Sequence, residues 1–452
     1  MPIHNGLTRP PRPPDLIIDW STLSPTTKRI AGSLALAAFV LAVVATVWRV
    51  VVDYGPPGPF DPNRQGMCDF HNGLYYPAIA LADGVSPYGQ TYESSYPVSK
   101  AIPFYSPSVL LLHLPMTWLP LHVAEAASLV LNYAVIFAIA RLIARRVDDH
   151  QWAVAMIVAS LLALSRGGHV TIFNGYFTLE LVLATLYALD RAESSPLRSG
   201  LALAVVAVKP NFILPLGMLM LARGHFRAVA IGFVATLVST GLPMAWLAWH
   251  LSPNDINQGW QTLIAEIIQT QANHQSVPWE TPALTWTRID ALALIAKWIG
   301  TDPPQWVYAA MMVALVIPAM KVLNRRRKIQ SCRMDTLGID SLVITSTILV
   351  SVYHQYYDSL IFIAPLAGLC LNRERIPVSP KMRMGLIVGL SVPMLNYLST
   401  RMVISRFDLH SVVVDGLTSI NAVVVIVVWL ASLRIASKNP VDRGRPFVAD
   451  PA

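Results

Sequence analysis

The chain contains long stretches in which nearly every residue is apolar, and residues 30–52 and 411–433 are two of them. The hydrocarbon layer of a bilayer is about 30 Å thick, so a helix needs about 20 apolar residues to cross it. Hydrophobic residues make up 54% of the 452 residues and charged residues only 13%, whereas a soluble domain carries roughly 25% charge. The apolar excess therefore predicts an integral membrane protein.

The spacing of the apolar segments predicts an all-α polytopic membrane protein with about 10–12 transmembrane or re-entrant helices and a large first outer loop. We expect re-entry at 107–121, which is short and contains Pro115 and Pro120, and at 200–222, which is broken at Lys209–Pro210. The predicted segments are 30–52, 107–121, 123–143, 151–165, 176–190, 200–222, 228–250, 306–323, 339–353, 358–372, 383–400 and 411–434, with an amphipathic stretch at 289–299.

The net charge of +8 comes largely from basic residues clustered in short segments between the later apolar runs. Such clusters are typical of cytoplasmic loops of membrane proteins, and a nucleic-acid-binding function is therefore excluded. The clusters are Arg325, Arg326, Arg327, Lys328 and Arg333; Arg373, Arg375, Lys381 and Arg383; Arg434, Lys438, Arg443 and Arg445.

This charge pattern predicts a multi-pass protein of a bacterial plasma membrane with both termini in the cytoplasm. Residues 1–28 and 437–452 are expected to be cytoplasmic tails, the first of them disordered, and 29–436 a single membrane domain. The first apolar run is expected to act as a signal anchor, because it is too long for a cleavable signal. The polar regions 53–105 and 252–300 are then outer loops, and loops of that size are usually functional.

The first outer loop contains the sequence Met-Cys-Asp-Phe-His-Asn at residues 67–72, just before a predicted interfacial helix at Asn72–Ala82. The carboxylate of Asp69, held at a membrane surface, could take a proton from an acceptor hydroxyl. Alternatively, Asp69 is a solvated loop residue or the N-cap of that helix. Asp53 and Asp61 lie in the same loop, so local sequence alone does not single out Asp69.

Lys209 lies inside the apolar run 203–221, where Pro210 interrupts the helix. A lysine at membrane depth is costly and is a functional candidate by default, and beside a helix break it could bind an anionic phosphate. The alternatives are that Lys209 extends to an interface or pairs with Glu180.

The segment Tyr353–Asp358, of sequence Tyr-His-Gln-Tyr-Tyr-Asp, is predicted at the outer junction of two helices. His354 could bond a phosphate, and Asp358 could position a sugar hydroxyl. A belt of interfacial tyrosines is the structural alternative, and it accounts for Tyr357 better than for His354 or Asp358.

Weaker signals are the acid Glu180, the Asn174–Gly175 pair and the stretch His274–Gln275–Ser276, each of which alone is more often structural. No ligand spacing predicts a metal site, and no cofactor is expected. The three cysteines, Cys68, Cys332 and Cys370, predict no disulfide.

Taken in order, several of these pieces resemble the GT-C glycosyltransferases of family 87, which include mycobacterial mannosyltransferases and arabinofuranosyltransferases. The pieces span about 69–365. They are Asp69–Phe70 with Tyr76, then Gly84–Val85–Ser86–Pro87–Tyr88, Tyr105–Ser106–Pro107, Asn174–Gly175, Val208–Lys209–Pro210 and His354–Gln355–Tyr356–Tyr357. His274 departs from the pattern, since a more amide-like residue is expected there.

The resemblance implies that the protein transfers a sugar from a polyprenyl-phosphate donor to an acceptor glycolipid or glycan outside the plasma membrane, and mannose is the expected sugar. It also implies inversion at the anomeric carbon and no need for a metal. It implies that Asp69 is the base, and Lys209 and His354 are then expected to bind the donor phosphate. Further substrate contacts are expected from Tyr88, Asn174, Glu180, Gln275, Ser276, Tyr357 and Asp358. The principal alternative is a polytopic transporter of a small molecule or lipid, which broken helices and a buried lysine would also suit; a non-catalytic lipid-binding protein is the third.

Overall fold

A computed structural model describes residues 20–102, 106–147, 150–275, 277, 280–329, 334–372, 375–407 and 410–438. Within these ranges the regular structure is helical, apart from two isolated β-bridges. The predicted tails lie mostly outside the described residues; the first long helix begins at Pro25 and the last ends at Lys438.

The helices in chain order are α1 (Pro25–Val52), α2 (Cys68–Phe70), α3 (Tyr76–Ala82), α4 (Gln90–Ser95), α5 (Pro107–His113), α6 (Leu121–Ala144), α7 (Gln151–Leu164), α8 (Arg166–Asn174), α9 (Thr178–Arg191), α10 (Pro196–Val206), α11 (Pro210–Arg223), α12 (Phe226–Leu251), α13 (Ile256–Gln275), α14 (Ala291–Ile299), α15 (Gln305–Ile329), α16 (Ile339–Ser351), α17 (Ile363–Leu371), α18 (Pro380–Leu395), α19 (Arg401–Arg406) and α20 (Ser411–Lys438).

Among the described residues, five helices are long and apolar enough to cross a membrane: α1, α6, α12, α15 and α20. A sixth span is possible if α7 and α8, which meet at a bend of 69°, are counted together. Leu34 and Leu41 of α1 are 68% and 67% exposed, which is unfavourable in water and favourable against lipid tails. These features confirm the predicted all-α polytopic membrane fold.

The two ends of the helix bundle carry different side chains. At the basic end, where α11 and α15 finish, Arg223 and Arg326 both bond Asp340, at 2.9 and 2.7 Å. At the opposite loop end lie the long polar segments 53–102 and 252–290.

Helices α10 and α11 form a hairpin that enters the bundle from the basic end and returns to it. Ser199 near the start of α10 bonds the carbonyl oxygen of Ala188 close to the end of α9, and α11 finishes with Arg223 on Asp340. The 11 residues of α10 rise about 16 Å, roughly half of the hydrocarbon thickness. The hairpin tip at Lys209 therefore stops inside the protein, as a re-entrant segment would.

The segment 107–121 is likewise too short to cross. It contains the seven-residue helix α5, about 10 Å long, and a 3₁₀ turn at Leu114–Trp118. Tyr75 in the first polar loop donates a hydrogen bond to the carbonyl oxygen of Leu119 at 2.9 Å. The segment therefore returns to the loop end, where α6 begins.

The first polar loop contains a helical run over residues 68–82, in which a π-helical turn, His71–Tyr75, joins α2 to α3. The run begins four residues before the predicted interfacial helix at Asn72. It packs into the protein through Phe70, Leu74 and Ala78, all of which are buried.

The second polar region contains α13, a 20-residue helix that the sequence did not predict. This helix packs along α12, where a Cβ at Gly259 would lie 1.9 Å from the carbonyl oxygen of Ala248. Only glycine permits that approach. The Gln and Asn residues that suggested a loop lie mostly on the exposed side of α13.

Replacement of Asp340 by asparagine tests the ionic cluster at the basic end. The buried guanidinium groups of Arg223 and Arg326 would lose a shared carboxylate, and breaking a buried ion pair costs about 3–5 kcal/mol. We expect the free energy of unfolding in detergent to fall by about that amount. Glu193→Gln, in an exposed turn at the same end, is the control, and an equally small effect of both changes would contradict this role.

Candidate active site

Asp69 lies in the first turn of the helical run 68–82. Met67, at φ = 65°, precedes that helix and is the one non-glycine residue with positive φ in the described part of the chain. A backbone hydrogen bond of 2.8 Å to the carbonyl oxygen of Phe173 holds it there. Such strain is tolerated where surrounding contacts enforce it, often at functional sites. Because Met67 is the cap residue and makes no side-chain bond, the N-cap alternative for Asp69 is wrong.

The carboxylate of Asp69 lies in a polar pocket formed by three segments of the chain. It bonds the side chain of Asn174 and accepts from the Cys68 thiol at 3.7 Å, while Glu280 and Lys100 act on it through their charges. Burial raises the pKa of Asp69 to about 6, and the bond to Asn174 opposes that rise. Asp69 is therefore ionised at neutral pH but more basic than an ordinary aspartate, which suits a proton acceptor.

Asn174 reaches Asp69 because α8 ends there in a tight left-handed turn. Gly175 has φ = 76°, and a Cβ at this position would lie 2.5 Å from the Cβ of Phe70. Of the Asn174–Gly175 pair noted in the sequence, Gly175 is required by the turn, whereas Asn174 contacts Asp69. The turn continues into Tyr176, whose ring faces a second group of polar residues.

That second group consists of Lys209, His354 and Asp358. The Lys209 Nζ lies 2.7 Å from Asp358 Oδ1, and the His354 Nδ1 lies 3.0 Å from Asp358 Oδ2. The side chains of His354 and Asp358 are fully buried and that of Lys209 is 9% exposed. The alternative pairing of Lys209 with Glu180 is wrong, since its carboxylate partner is Asp358.

Aromatic rings surround the Lys209 ammonium group, with Tyr176, Phe212 and Tyr357 all within 6 Å. The ring of His354 packs edge-on against Phe212 at 4.9 Å. Rings stabilise a nearby cation through their electron-rich faces. The Nε2 of His354 is buried and has no hydrogen-bond partner in the described part of the chain, so one hydrogen-bonding position of this histidine is unsatisfied.

The segment that carries His354 is fixed by backbone bonds to residues 287–289. Ile289 donates to the carbonyl oxygen of His354 at 2.8 Å, and Tyr356 donates to that of Thr287 at 2.9 Å. The backbone N–H of His354 also bonds Asp290 Oδ2 at 3.2 Å. Asp290 is in turn held by Arg288 through two bonds of 2.9 Å.

Glu280 connects the second polar region to this site. It accepts a hydrogen bond of 2.9 Å from the hydroxyl of Tyr353, and burial raises the pKa of its carboxyl. The charge of Glu280 also raises the pKa of Asp69. His274, 3.8 Å from Glu280, is near the same point.

A cavity of about 690 Å³ has Tyr356 and Asn174 in its wall, and Asn174 is the residue that bonds Asp69. The guanidinium group of Arg166 stacks at 3.8 Å on the ring of Tyr356, and Arg49 bonds His169 at 2.7 Å. The lining residues are Arg49, Phe60, Pro62, Gln65, Arg166, His169, Val170, Phe173, Asn174, Trp286, Thr287, Tyr356, Tyr397, Ser399 and Thr400. Aromatic rings, amides and hydroxyl groups are the side chains that a sugar contacts, so the cavity is suited to a glycan.

Not every residue expected at the site is found there. Tyr88 is buried in the packing of the first polar loop, where Thr270 bonds its carbonyl oxygen. Glu180 pairs with His113 at 3.2 Å and lines a different cavity. The Gln275 side chain and Ser276 lie outside the described residues. Within the described ranges, no group of three or more His, Cys, Asp or Glu is arranged to hold a metal.

The sequence did not point to Arg166, Glu280 or Arg288. Arg166 lies at the bend between α7 and α8 and is buried. It carried the same signal as Lys209, a lone charge inside an apolar stretch. Glu280 and Arg288 lie in a polar region where acids and bases are ordinary, so no local signal marked them.

Single and double replacement of the buried pair tests the coupling of Lys209 to Asp358. Lys209→Met and Asp358→Asn each leave a buried polar group without its partner, so each should cost about 3–5 kcal/mol of unfolding free energy. The double variant should cost less than the sum, because both partners are then neutral. Additive effects in thermal unfolding of the purified protein would show that the two groups do not interact.

Comparison with known proteins matches residues 104–352 to glycosyltransferase family 87. The matched region covers more than half of the chain and includes Asn174 and Lys209, while Asp69 precedes it and His354 and Asp358 follow it. No curated protein and no solved structure is significantly similar to the chain. The match favours an enzyme over a transporter, and the chain belongs to glycosyltransferase family 87.

Proposed function

We propose that this membrane glycosyltransferase takes its sugar from a polyprenyl-phosphate donor and transfers it to a glycolipid or glycan on the outer face of the plasma membrane. The observation that most supports this function is the pairing of an ionisable base with a cavity. Asp69, with a pKa near 6, bonds Asn174 in the wall of the cavity at the loop end. The rings of Tyr176 and Tyr357 lie next to the ammonium group of Lys209, which belongs to the buried Lys209–Asp358–His354 group.

In the proposed reaction, Asp69 removes the proton from an acceptor hydroxyl as its oxygen attacks the anomeric carbon of the donor. The bond from that carbon to the phosphate oxygen breaks, and its electron pair leaves with the polyprenyl phosphate. Attack opposite the leaving group inverts the anomeric centre. The reaction needs the base on one face of the sugar and stabilisation of the phosphate on the other.

The leaving phosphate would be held by Lys209 and His354. An ammonium group has three N–H donors, and Asp358 accepts one of those of Lys209, which leaves donors for phosphate. Asp358 also bonds the Nδ1 of His354, so it can stabilise a protonated imidazole whose Nε2 donates to phosphate. In the catalytic triads of hydrolases, a carboxylate likewise orients a histidine and stabilises its protonated form.

Mannose is the first sugar to test and arabinofuranose the second, because the family that the motifs resemble includes transferases of both sugars. The outer face is proposed because basic segments cluster at the end of the bundle opposite the cavity, and such segments favour the cytoplasm. Both termini would then be cytoplasmic.

Asp69→Asn is expected to remove most transfer of radiolabelled mannose from polyprenyl-phosphate mannose to membrane acceptors. Loss of a general base costs about 10²–10⁴-fold in rate, and the substitution keeps the size of the side chain. Asp83→Asn is the control, since Asp83 is exposed in the same loop and its side chain accepts a hydrogen bond from the hydroxyl of Tyr96.

Equal activity of the Asp69→Asn and Asp83→Asn proteins, at matched abundance, would show that Asp69 is not the base. If the unmodified enzyme transfers neither mannose nor arabinose from a polyprenyl-phosphate donor, the proposed donor class is wrong.

The pH dependence of kcat/KM gives an independent test. The base works only when it is ionised, so activity should be level above pH 6 and fall about tenfold per pH unit below it. Asn174→Ala removes a bond that lowers the pKa of Asp69, so the acidic limb should move to higher pH. Asn63→Ala, exposed in the first loop, should leave it in place; an unmoved limb in Asn174→Ala would contradict the assignment.

A further inference from the structure

A second cavity, separate from the active site, lies between α6, α9 and α10. Its volume is about 610 Å³, and none of its lining residues lines the cavity beside Asp69. Most of the wall is apolar, supplied by Leu112, Leu131, Ala138, Leu142, Leu183, Ala184, Tyr187, Ala202 and Val205. Because α6 is one of the helices long enough to span a membrane, this groove lies at membrane depth.

Charged residues line this groove unevenly along its length. Arg141 and Arg145, near the end of α6, line it at the basic end. Both are exposed, and neither forms an ion pair in the described part of the chain. Arg191 also lines it, but already contacts Asp190 at 3.3 Å. Among the described residues, these two cations at one end of an apolar groove therefore have no carboxylate partner.

The opposite end is closed by the pair of Glu180 and His113, 3.2 Å apart. Arg191 follows Glu180 by three turns of α9, or roughly 16 Å. The hydrocarbon layer is about 30 Å thick, so the groove is as long as one leaflet. A single acyl chain that starts at the basic end fits this length.

We propose that this groove binds an anionic phospholipid from the leaflet at the basic end. The phosphate would lie on Arg141 and Arg145, and one acyl chain would lie along Leu142, Leu183 and Val205. Basic pockets between transmembrane helices on the cytoplasmic side bind anionic headgroups by the same combination of charge and apolar contact. This binding site is independent of the transferase reaction.

The polarity of the groove argues against the donor tail as its occupant. A polyprenyl phosphate with its phosphate at Lys209 would lay only apolar chain in the groove and would give Arg141 and Arg145 no anion to bind. The end of the groove nearer to Lys209 presents the acid Glu180, which repels phosphate. The two cations therefore place the anion of the occupant at the basic end.

A bound lipid would join α6 to the helices that position the site. The active-site end of α9 leads from Tyr176, and α10 leads to Lys209 at the hairpin tip. The hairpin crosses only about half of the membrane, so it has fewer lipid contacts than a full span. An acyl chain packed against α9 and α10 would stabilise it, and removing the lipid should lower the thermal stability of the whole protein.

The test uses the full chain, purified in mild detergent. Its unfolding temperature is measured with added phosphatidylglycerol or phosphatidylcholine, and the phospholipid that co-purifies is identified by mass spectrometry. We expect phosphatidylglycerol to be retained and to raise the unfolding temperature more than phosphatidylcholine does. Arg141→Gln/Arg145→Gln should lose about 30-fold in affinity for phosphatidylglycerol, about fivefold for each arginine.

The matched control is Arg29→Gln/Arg227→Gln, which removes two exposed arginines that do not line the groove. Ala138→Phe, at an exposed position in the wall, fills the groove without changing charge and should also reduce retention. The proposal is overturned if the unmodified protein does not distinguish the two lipids, or if the double variant retains phosphatidylglycerol as well as the control does. The proposal is equally overturned if polyprenyl phosphate displaces the phospholipid and the double arginine variant binds polyprenyl phosphate as well as the unmodified protein does.

Discussion

The ion pair between Lys209 and Asp358 is the contact on which the candidate active site depends. It joins the tip of the α10–α11 hairpin, which does not cross the membrane, to the segment between α16 and α17. Buried charges are tolerated only when paired, so the pair fixes both segments at once. His354 shares the same carboxylate through its Nδ1, which leaves its Nε2 without a partner in the described part of the chain.

A second set of contacts positions Asp69 from the opposite side. The strained Met67 and the turn at Gly175 bring Asp69 and Asn174 together, and Tyr176 follows directly at the Lys209 cluster. Asn174 and Tyr176 belong to the same turn, and they contact Asp69 and Lys209 respectively. The proposed proton acceptor and the proposed phosphate-binding group come from segments far apart in sequence, and one short turn at residues 174–176 contacts both of them.

The sequence was sufficient for the fold class, because long apolar runs leave few alternatives, and for the break at Lys209–Pro210. It failed for α13, where packing through Gly259 outweighs a polar composition. Lys209, His354 and Asp358 were each identified, but their union in one cluster depends on tertiary contacts that no local pattern encodes. Arg166 was missed although it carried the signal that marked Lys209, whereas Glu280 lies in a region where acids are common.

The separation of Lys209 from Asp358 along the chain, 149 positions, has a consequence for biosynthesis. At about 5–20 residues per second, the ribosome needs roughly 7–30 s to reach the counter-ion after making the lysine. A lone lysine at the centre of a membrane helix costs about 2.5–3.5 kcal/mol in translocon insertion. The Lys209–Asp358 pair therefore forms late, since it must wait for synthesis of the C-terminal third of the chain, and until then the lysine adds this cost to the insertion of the hairpin.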